Sequence, residues 1–131
     1  MTLETRHISI SIERPVAEVY VYVSDPARLP EWASGLSSGI SRVGDRWVAD
    51  SPMGRVEVEF APANAFGVAD HTVTLPTSEV FSNPLRVIGN DGGSEVVFTL
   101  FRMPGVSATD FDRDAGTVEA DLAALKRRLE R

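Results

Sequence analysis

A long amphipathic helix near the end of the chain is the sequence feature that most constrains the fold. Apolar residues recur at alternating steps of four and three from Phe111 to Leu129, which places them on one face of a helix. Ser107 can cap the start of this helix, and Asp110 follows three residues later, as in a capping box. The pattern predicts a helix from about Ser107 to Glu130, roughly 36 Å long, that packs one face against a sheet. That face carries Phe111, Ala115, Val118, Leu122, Leu125 and Leu129.

The first part of the chain has the pattern of one strand followed by two short helices. Residues His7 to Glu13 alternate strictly between isoleucines and polar side chains, which is typical of a half-buried strand. Pro15 is suited to the first position of a helix, and Val16–Val23 has helical spacing. A second short helix is predicted over about Ala27–Ala33, after a cap at the preceding aspartate.

From Gly35 to Pro104 the pattern is one of strands and turns. The strongest turn signals are Val43–Arg46 and Asn90–Gly93. Short connections favour antiparallel pairing, so the sequence predicts an α+β fold with an antiparallel sheet of about seven strands. After the first strand, the predicted strands are Ser38–Arg42, Trp47–Ser51, Arg55–Phe60, Val68–Leu75, Glu79–Ile88 and Glu95–Arg102.

Composition narrows the possible functions. The chain has 131 residues, 43% of them hydrophobic and 24% charged, which fits a single domain over residues 1–131. It contains no cysteine, which excludes thiol chemistry and thiolate metal sites. A net charge of −6 argues against nucleic acid as a partner. We find neither a signal-peptide pattern nor an apolar segment of membrane-spanning length, so a cytoplasmic protein is expected.

This order of elements resembles the START / Bet v 1-like (SRPBCC) superfamily and its helix-grip fold. The stretches His7–Pro15, Val19–Pro26 and Leu29–Trp32 look like the opening of polyketide cyclase/dehydrase-type members, and Gly93–Phe101 and Phe111–Lys126 look like their last strand and helix. The resemblance implies a curved sheet around the long helix, with a cavity between them roofed by the two short helices. It leaves the function open, because the superfamily includes enzymes, lipid carriers, hormone receptors and chaperone activators.

The implied cavity is expected to bind a small apolar or aromatic molecule. Trp32 could stack on a ligand or hold the short helices against the sheet, and the structural role is favoured. Arg86 could clamp an anionic group or form an ion pair at the sheet edge, and the ion pair is favoured. The end of the long helix from Phe111 to Val118 is expected to face the ligand. The expected ligand-binding residues are Tyr20, Trp32, Val58, Phe60, Val73, Arg86, Phe98, Phe111, Ala115 and Val118.

His71 is the one candidate for catalysis. It shares a strand face with Ala69, Val73 and Leu75, so its side chain should point inward. A histidine there could act as a general base or bind a ligand, or it could be a core residue satisfied by a backbone carbonyl. His7 is expected on an outward face, which argues against a histidine metal site. We find no phosphate-binding loop or cofactor signature, so no cofactor and no metal are expected.

Three functions therefore remain open at this point. The first is a binding protein for a small hydrophobic or aromatic ligand. The second is a cyclase, aromatase or dehydratase that acts on a polyketide-like substrate with His71 as base. The third is a protein-interaction module of the chaperone-activator type. The sequence does not decide between a monomer and a homodimer.

Overall fold

A computed structural model describes all residues from Met1 to Arg131. The chain forms eight strands, two α-helices and two short 3₁₀ helices in the order strand, helices, strands, long helix. The helices are α1 (Val16–Val23), the 3₁₀ helices Pro26–Glu31 and Ser34–Leu36, and α2 (Ala108–Leu129). The strands are β1 (Thr5–Ile12), β2 (Ile40–Val43), β3 (Arg46–Ser51), β4 (Gly54–Phe60), β5 (His71–Thr74), β6 (Val80–Asn83), β7 (Leu85–Asn90) and β8 (Gly93–Phe101).

All strand pairs are antiparallel, as predicted, but they form two sheets with the orders β1-β8-β7 and β2-β3-β4-β5-β6. The single strand predicted over Glu79–Ile88 is wrong, because Pro84 divides it into β6 and β7. Proline has no N–H to donate to a sheet ladder, so pairing stops there and each half joins a different sheet. This break accounts for eight strands in place of about seven.

Both predicted short helices are present, one of them with a change of type, and the structure adds a third short helix, Ser34–Leu36, that was not predicted. Helix α1 covers Val16–Val23, and Pro15 is its N-cap rather than its first residue. The second short helix is a 3₁₀ helix that starts at Pro26, with the Asp25 carboxylate accepting a hydrogen bond from the N–H of Ala27. Pro30 lies inside it and cannot donate an α-helical hydrogen bond, which is consistent with the tighter helix type.

Helix α2 begins and ends within one residue of the predicted bounds and lies over β1 and β8. The Ser107 hydroxyl accepts a hydrogen bond from the N–H of Asp110, as the capping pattern predicts. Four residues of its apolar stripe are fully buried, namely Phe111, Ala115, Leu122 and Leu125. Burying a leucine side chain contributes roughly 1.5–3 kcal/mol, so this stripe is what anchors the helix to the sheet. No helix of the chain combines the length and apolar character that a bilayer crossing requires.

Candidate ligand pocket

A largely apolar cavity of about 640 Å³ lies between α2, the two 3₁₀ helices and the inner faces of the sheets. Strand alternation produces the sheet wall: Val56 on β4 and Val73 on β5 share one inner face, because the register pairs Val58 with Val73. Helical spacing produces the opposite wall, since Val118 and Leu122 are four residues apart on α2. The apolar lining residues are Leu29, Trp32, Ala33, Leu36, Pro52, Met53, Val56, Val73, Phe98, Val118 and Leu122.

His71 lines this cavity from β5 and is 8% exposed. Its imidazole ring stacks on the ring of Phe60, with 4.6 Å between the centroids and 24° between the planes. Nδ1 lies 3.2 Å from the carbonyl oxygen of Ala69. Burial lowers the pKa of His71 below its ordinary value of 6.5, against the raising effects of the Ala69 carbonyl and Asp70. The neutral ring must carry its proton on Nδ1, because a carbonyl only accepts, and Nε2 therefore keeps a free lone pair.

Asn83 lies beside His71 on the neighbouring strand. The two residues are paired across β5 and β6, so their side chains share the inner face. Asn83 lines the cavity and makes no side-chain hydrogen bond within the protein. An asparagine is unfavourable in a strand, and its position directly before Pro84 reads as a turn. For this reason the sequence pattern did not predict that Asn83 points into the cavity.

Trp32 follows the first 3₁₀ helix and forms part of the cavity wall. Its side chain belongs to the hydrophobic core and is 6% exposed. The indole Nε1 is shielded from solvent and meets no hydrogen-bond acceptor in the protein, the one buried side-chain polar atom without a partner. Such a donor costs about 1–3 kcal/mol relative to one that is satisfied.

The cavity mouth is polar and carries negative charge from α2. Arg113, Asp114, Thr117 and Asp121 border it on this side. The Arg113 guanidinium is held by Asp110 at 2.9 Å, within the same helix. The Asp121 carboxylate accepts a hydrogen bond from the N–H of Ser34 at 3.2 Å, and burial raises the pKa of Asp121 above its ordinary value of 3.8.

Five residues expected from the sequence to contact a ligand or to act in catalysis come together at this cavity. They are Trp32, His71, Val73, Phe98 and Val118. Val58 and Phe60 instead border a separate cleft of about 450 Å³, whose lining includes Asp45, Arg46, Glu57 and Glu59. The larger cavity is the better candidate, because its walls are the apolar inner faces of the fold.

The remaining expected contacts lie elsewhere. The Tyr20 hydroxyl accepts a hydrogen bond from the N–H of Asn64 at 3.1 Å. The Arg86 guanidinium binds Asp70 through Nε at 2.8 Å and a second nitrogen at 2.7 Å, which is the ion pair that the sequence favoured. Phe111 is buried beneath the Arg6 guanidinium, and Ala115 is buried in the core. None of these four borders the cavity.

The ligand-facing part of α2 is therefore shifted toward the carboxyl end from the expected Phe111–Val118 segment, to residues between Arg113 and Leu122. Gly116 faces solvent, and a Cβ added there would meet no neighbour, so it marks no close approach. No group of three or more histidine, aspartate and glutamate side chains is placed to hold a metal ion.

A model of the family described as polyketide cyclase / dehydrase and lipid transport matches residues 5–130. No curated protein sequence matches the chain. Among solved structures, the Aha1 dimer from Colwellia psychrerythraea has a TM-score of 0.76 at 13% identity, over 98% of this chain and 97% of that one.

Two further solved structures share the same fold. Ara h 8.0201 has a TM-score of 0.73 at 17% identity, over 97% of each chain. DynU16, a protein of the dynemicin biosynthetic locus, has a TM-score of 0.72 at 18% identity, over 96% of this chain. This chain spans about half the length of DynU16, 47% of it. At these identities the likeness establishes the fold alone, and it confirms the predicted START / Bet v 1-like arrangement.

Proposed function

The chain belongs to the polyketide cyclase / dehydrase and lipid transport family, and from that premise we propose that it binds a small hydrophobic or aromatic molecule in the cavity beside α2. The observation that carries this proposal is the cavity itself. Its volume of about 640 Å³ falls within the roughly 300–1,000 Å³ typical of sites for small ligands. Apolar walls with a few polar groups are the usual composition of such sites.

A ligand panel measured by thermal unfolding tests this function. A ligand that binds only the folded state stabilises it by RT ln(1 + [L]/Kd), about 2.7 kcal/mol at a hundredfold excess over Kd. The panel should contain bicyclic aromatic compounds and acyl chains. A panel without any stabilising member would count against the proposal.

A matched pair of variants assigns the binding to the cavity. Val73→Phe places a larger side chain inside it, whereas Val80→Phe makes the same change on the neighbouring strand at a position that is 55% exposed. We expect the first variant to lose the response to ligand and the second to keep it. Equal responses from the two variants would place the ligand elsewhere.

A catalytic role for His71 is the second candidate, and the state of its ring favours it. A neutral imidazole with a free Nε2 lone pair beside an apolar cavity can accept a proton from a bound substrate. In the dehydration of a β-hydroxyketone, Nε2 would take the proton from the carbon next to the carbonyl. The Cα–Cβ double bond would form as the C–O bond breaks, and the departing hydroxide would take the proton from Nε2, which releases water and restores the neutral ring.

The appearance of the conjugated enone, followed by its absorbance, tests this role. We expect His71→Gln to abolish the rate while a thermal shift with the same compound persists. If the wild-type protein forms the enone no faster than the reaction without protein, the enzyme hypothesis is wrong, and the binding function is unaffected.

The other expectations from the sequence stay predictions. The family match over residues 5–130 supports a single domain. One structural relative is a dimer, but its identity is too low to transfer an assembly to this chain. The interaction-module function, the cytoplasmic location and the oligomeric state also stay predictions.

A further inference from the structure

Three residues that line the cavity each carry a polar group without a hydrogen-bond partner in the protein, and each group can play only certain roles. The Trp32 indole Nε1–H is a donor and nothing else. The His71 Nε2 is an acceptor, because Nδ1 holds the proton against the Ala69 carbonyl. The Asn83 amide is both donor and acceptor. A ligand carbonyl can therefore be bound by Trp32 or Asn83, but not by neutral His71.

Trp32 is the stronger candidate of the two donors. Its Nε1 is buried away from water and has no acceptor in the protein, so this N–H donates no hydrogen bond in the free protein. The Asn83 side chain is only partly buried, and water can serve it. A ligand that satisfies Trp32 gains a hydrogen bond without first displacing a water from that donor.

The charges around the cavity favour an uncharged ligand. Arg113 is the one basic residue in the lining, and Asp110 already holds it. Asp114 and Asp121 border the same mouth. A ligand carboxylate would therefore meet like charge without a free cation, which is unfavourable.

We infer that Trp32 determines ligand specificity by donating its indole N–H to the carbonyl oxygen of an uncharged ligand seated in the cavity. This inference rests on the proposed binding function. Because Nε1 is covered in the free protein, a ligand carbonyl can reach it only after the groups that shield it have moved. The indole N–H therefore reports directly on whether a carbonyl is seated there.

Two probes with the same bicyclic carbon skeleton test the inference, α-tetralone with a ketone and tetralin without one. The Trp47→Phe variant leaves Trp32 as the sole indole, because the chain has two tryptophans. In a ¹H–¹⁵N spectrum of this variant, we expect tetralone to move the indole N–H resonance downfield. Tetralin should perturb other cavity residues without that downfield shift.

Affinities provide a second, independent measurement. The ratio of the dissociation constants of tetralin and tetralone should fall about tenfold in Trp32→Phe, the loss of one net hydrogen bond. The ratio should stay unchanged in Trp47→Phe, and Asn83→Leu tests the other donor that could bind the carbonyl. Naphthoate, an anion on a bicyclic skeleton of similar size, should bind more weakly than tetralone.

The outcomes separate this inference from the function on which it rests. If both probes bind and shift the indole resonance equally, Trp32 does not donate a hydrogen bond to the carbonyl, and the inference is overturned. A ratio that falls in Asn83→Leu instead would assign the carbonyl to Asn83. Tight naphthoate binding would overturn the requirement for an uncharged ligand. If neither these probes nor any panel compound binds, the binding function itself fails. Should Trp32→Phe not fold, the spectrum of Trp47→Phe decides.

Discussion

Asp70 links the two sheets at the point where Pro84 ends the pairing between them. Its Oδ1 accepts a hydrogen bond from the N–H of Leu85 at 2.9 Å, the first residue of β7, and both carboxylate oxygens bind Arg86. Asp70 directly precedes β5, which belongs to the other sheet. Removing its carboxylate should therefore weaken the connection between the sheets beside the cavity.

The expected loss can be worked out from the two contacts. A hydrogen bond to a charged group contributes about 1.5–3 kcal/mol. The ion pair with Arg86 is half-exposed, so solvent screening reduces it to about 0.2–1 kcal/mol. Asp70→Ala should lower the free energy of unfolding by about 2–4 kcal/mol, or roughly 10 °C in Tm for a chain of this size. Arg86→Met, which keeps the apolar stem, should cost only about 0.5 kcal/mol.

The stability that the Asp70 carboxylate contributes should depend on pH. The Arg86 hydrogen bonds, followed by the Leu85 N–H, hold the pKa of Asp70 below its ordinary value of 3.8. A lowered pKa stabilises the fold above the unfolded value of about 3.8, and this contribution is lost as pH falls through the folded value. The difference between wild type and Asp70→Ala should therefore be full at neutral pH and shrink in acid.

Urea unfolding at neutral pH and in acid, with wild type, Asp70→Ala and Arg86→Met, measures both effects. Two results would contradict the proposed role of the Asp70 carboxylate. Equal losses from the two variants would mean that the ion pair, not the link to Leu85, carries the stability. A loss in Asp70→Ala that does not change with pH would mean that the charge of Asp70 is not involved.

Three further expectations concern single positions. Gly116→Ala should raise the free energy of unfolding in urea by about 1 kcal/mol, since the site is a solvent-facing helix interior with room for a Cβ; a loss would reveal a contact there. Asp121→Asn should stabilise the fold at neutral pH, because burial raises the pKa of Asp121 and the folded state disfavours its charge. That gain should vanish below about 3.8, the ordinary value, and a gain that persists there would contradict this cause. Burial lowers the pKa of His71, so an NMR titration should find it below 6.5. The stability contributed by the neutral ring should be lost as pH falls through the pKa of the folded state. An ordinary pKa would contradict the burial of His71.

Much of the fold could be predicted because it follows from local patterns. The spacing of apolar residues and the Ser107 cap predicted α2 to within a residue or two at each end. Short turns predicted the antiparallel pairing, and the order of elements predicted the helix-grip fold. The prediction of one strand over Glu79–Ile88 was wrong. The alternation of inward and outward side chains continues through Pro84 in the sequence, but the hydrogen-bond ladder stops there.

The candidate site was only partly predictable. Alternation placed His71 on the inner face, and the structure has it there. Asn83 was missed, since its role depends on pairing with His71 across two strands. The unsatisfied donor of Trp32 could not be read from the sequence either, because it depends on which acceptors the folded chain brings near it.

Local periodicity therefore predicted the inward faces of α2 and β5, whereas the packing of elements distant in the chain determines which residues of those faces border the cavity. Phe111 and Val118 belong to one apolar stripe, yet Phe111 is buried beneath Arg6 and Val118 faces the cavity. The physical reason is that periodicity is a property of the local backbone, which the neighbouring residues set. A cavity is the space left between elements that are distant in the chain, and its borders depend on how closely those elements pack.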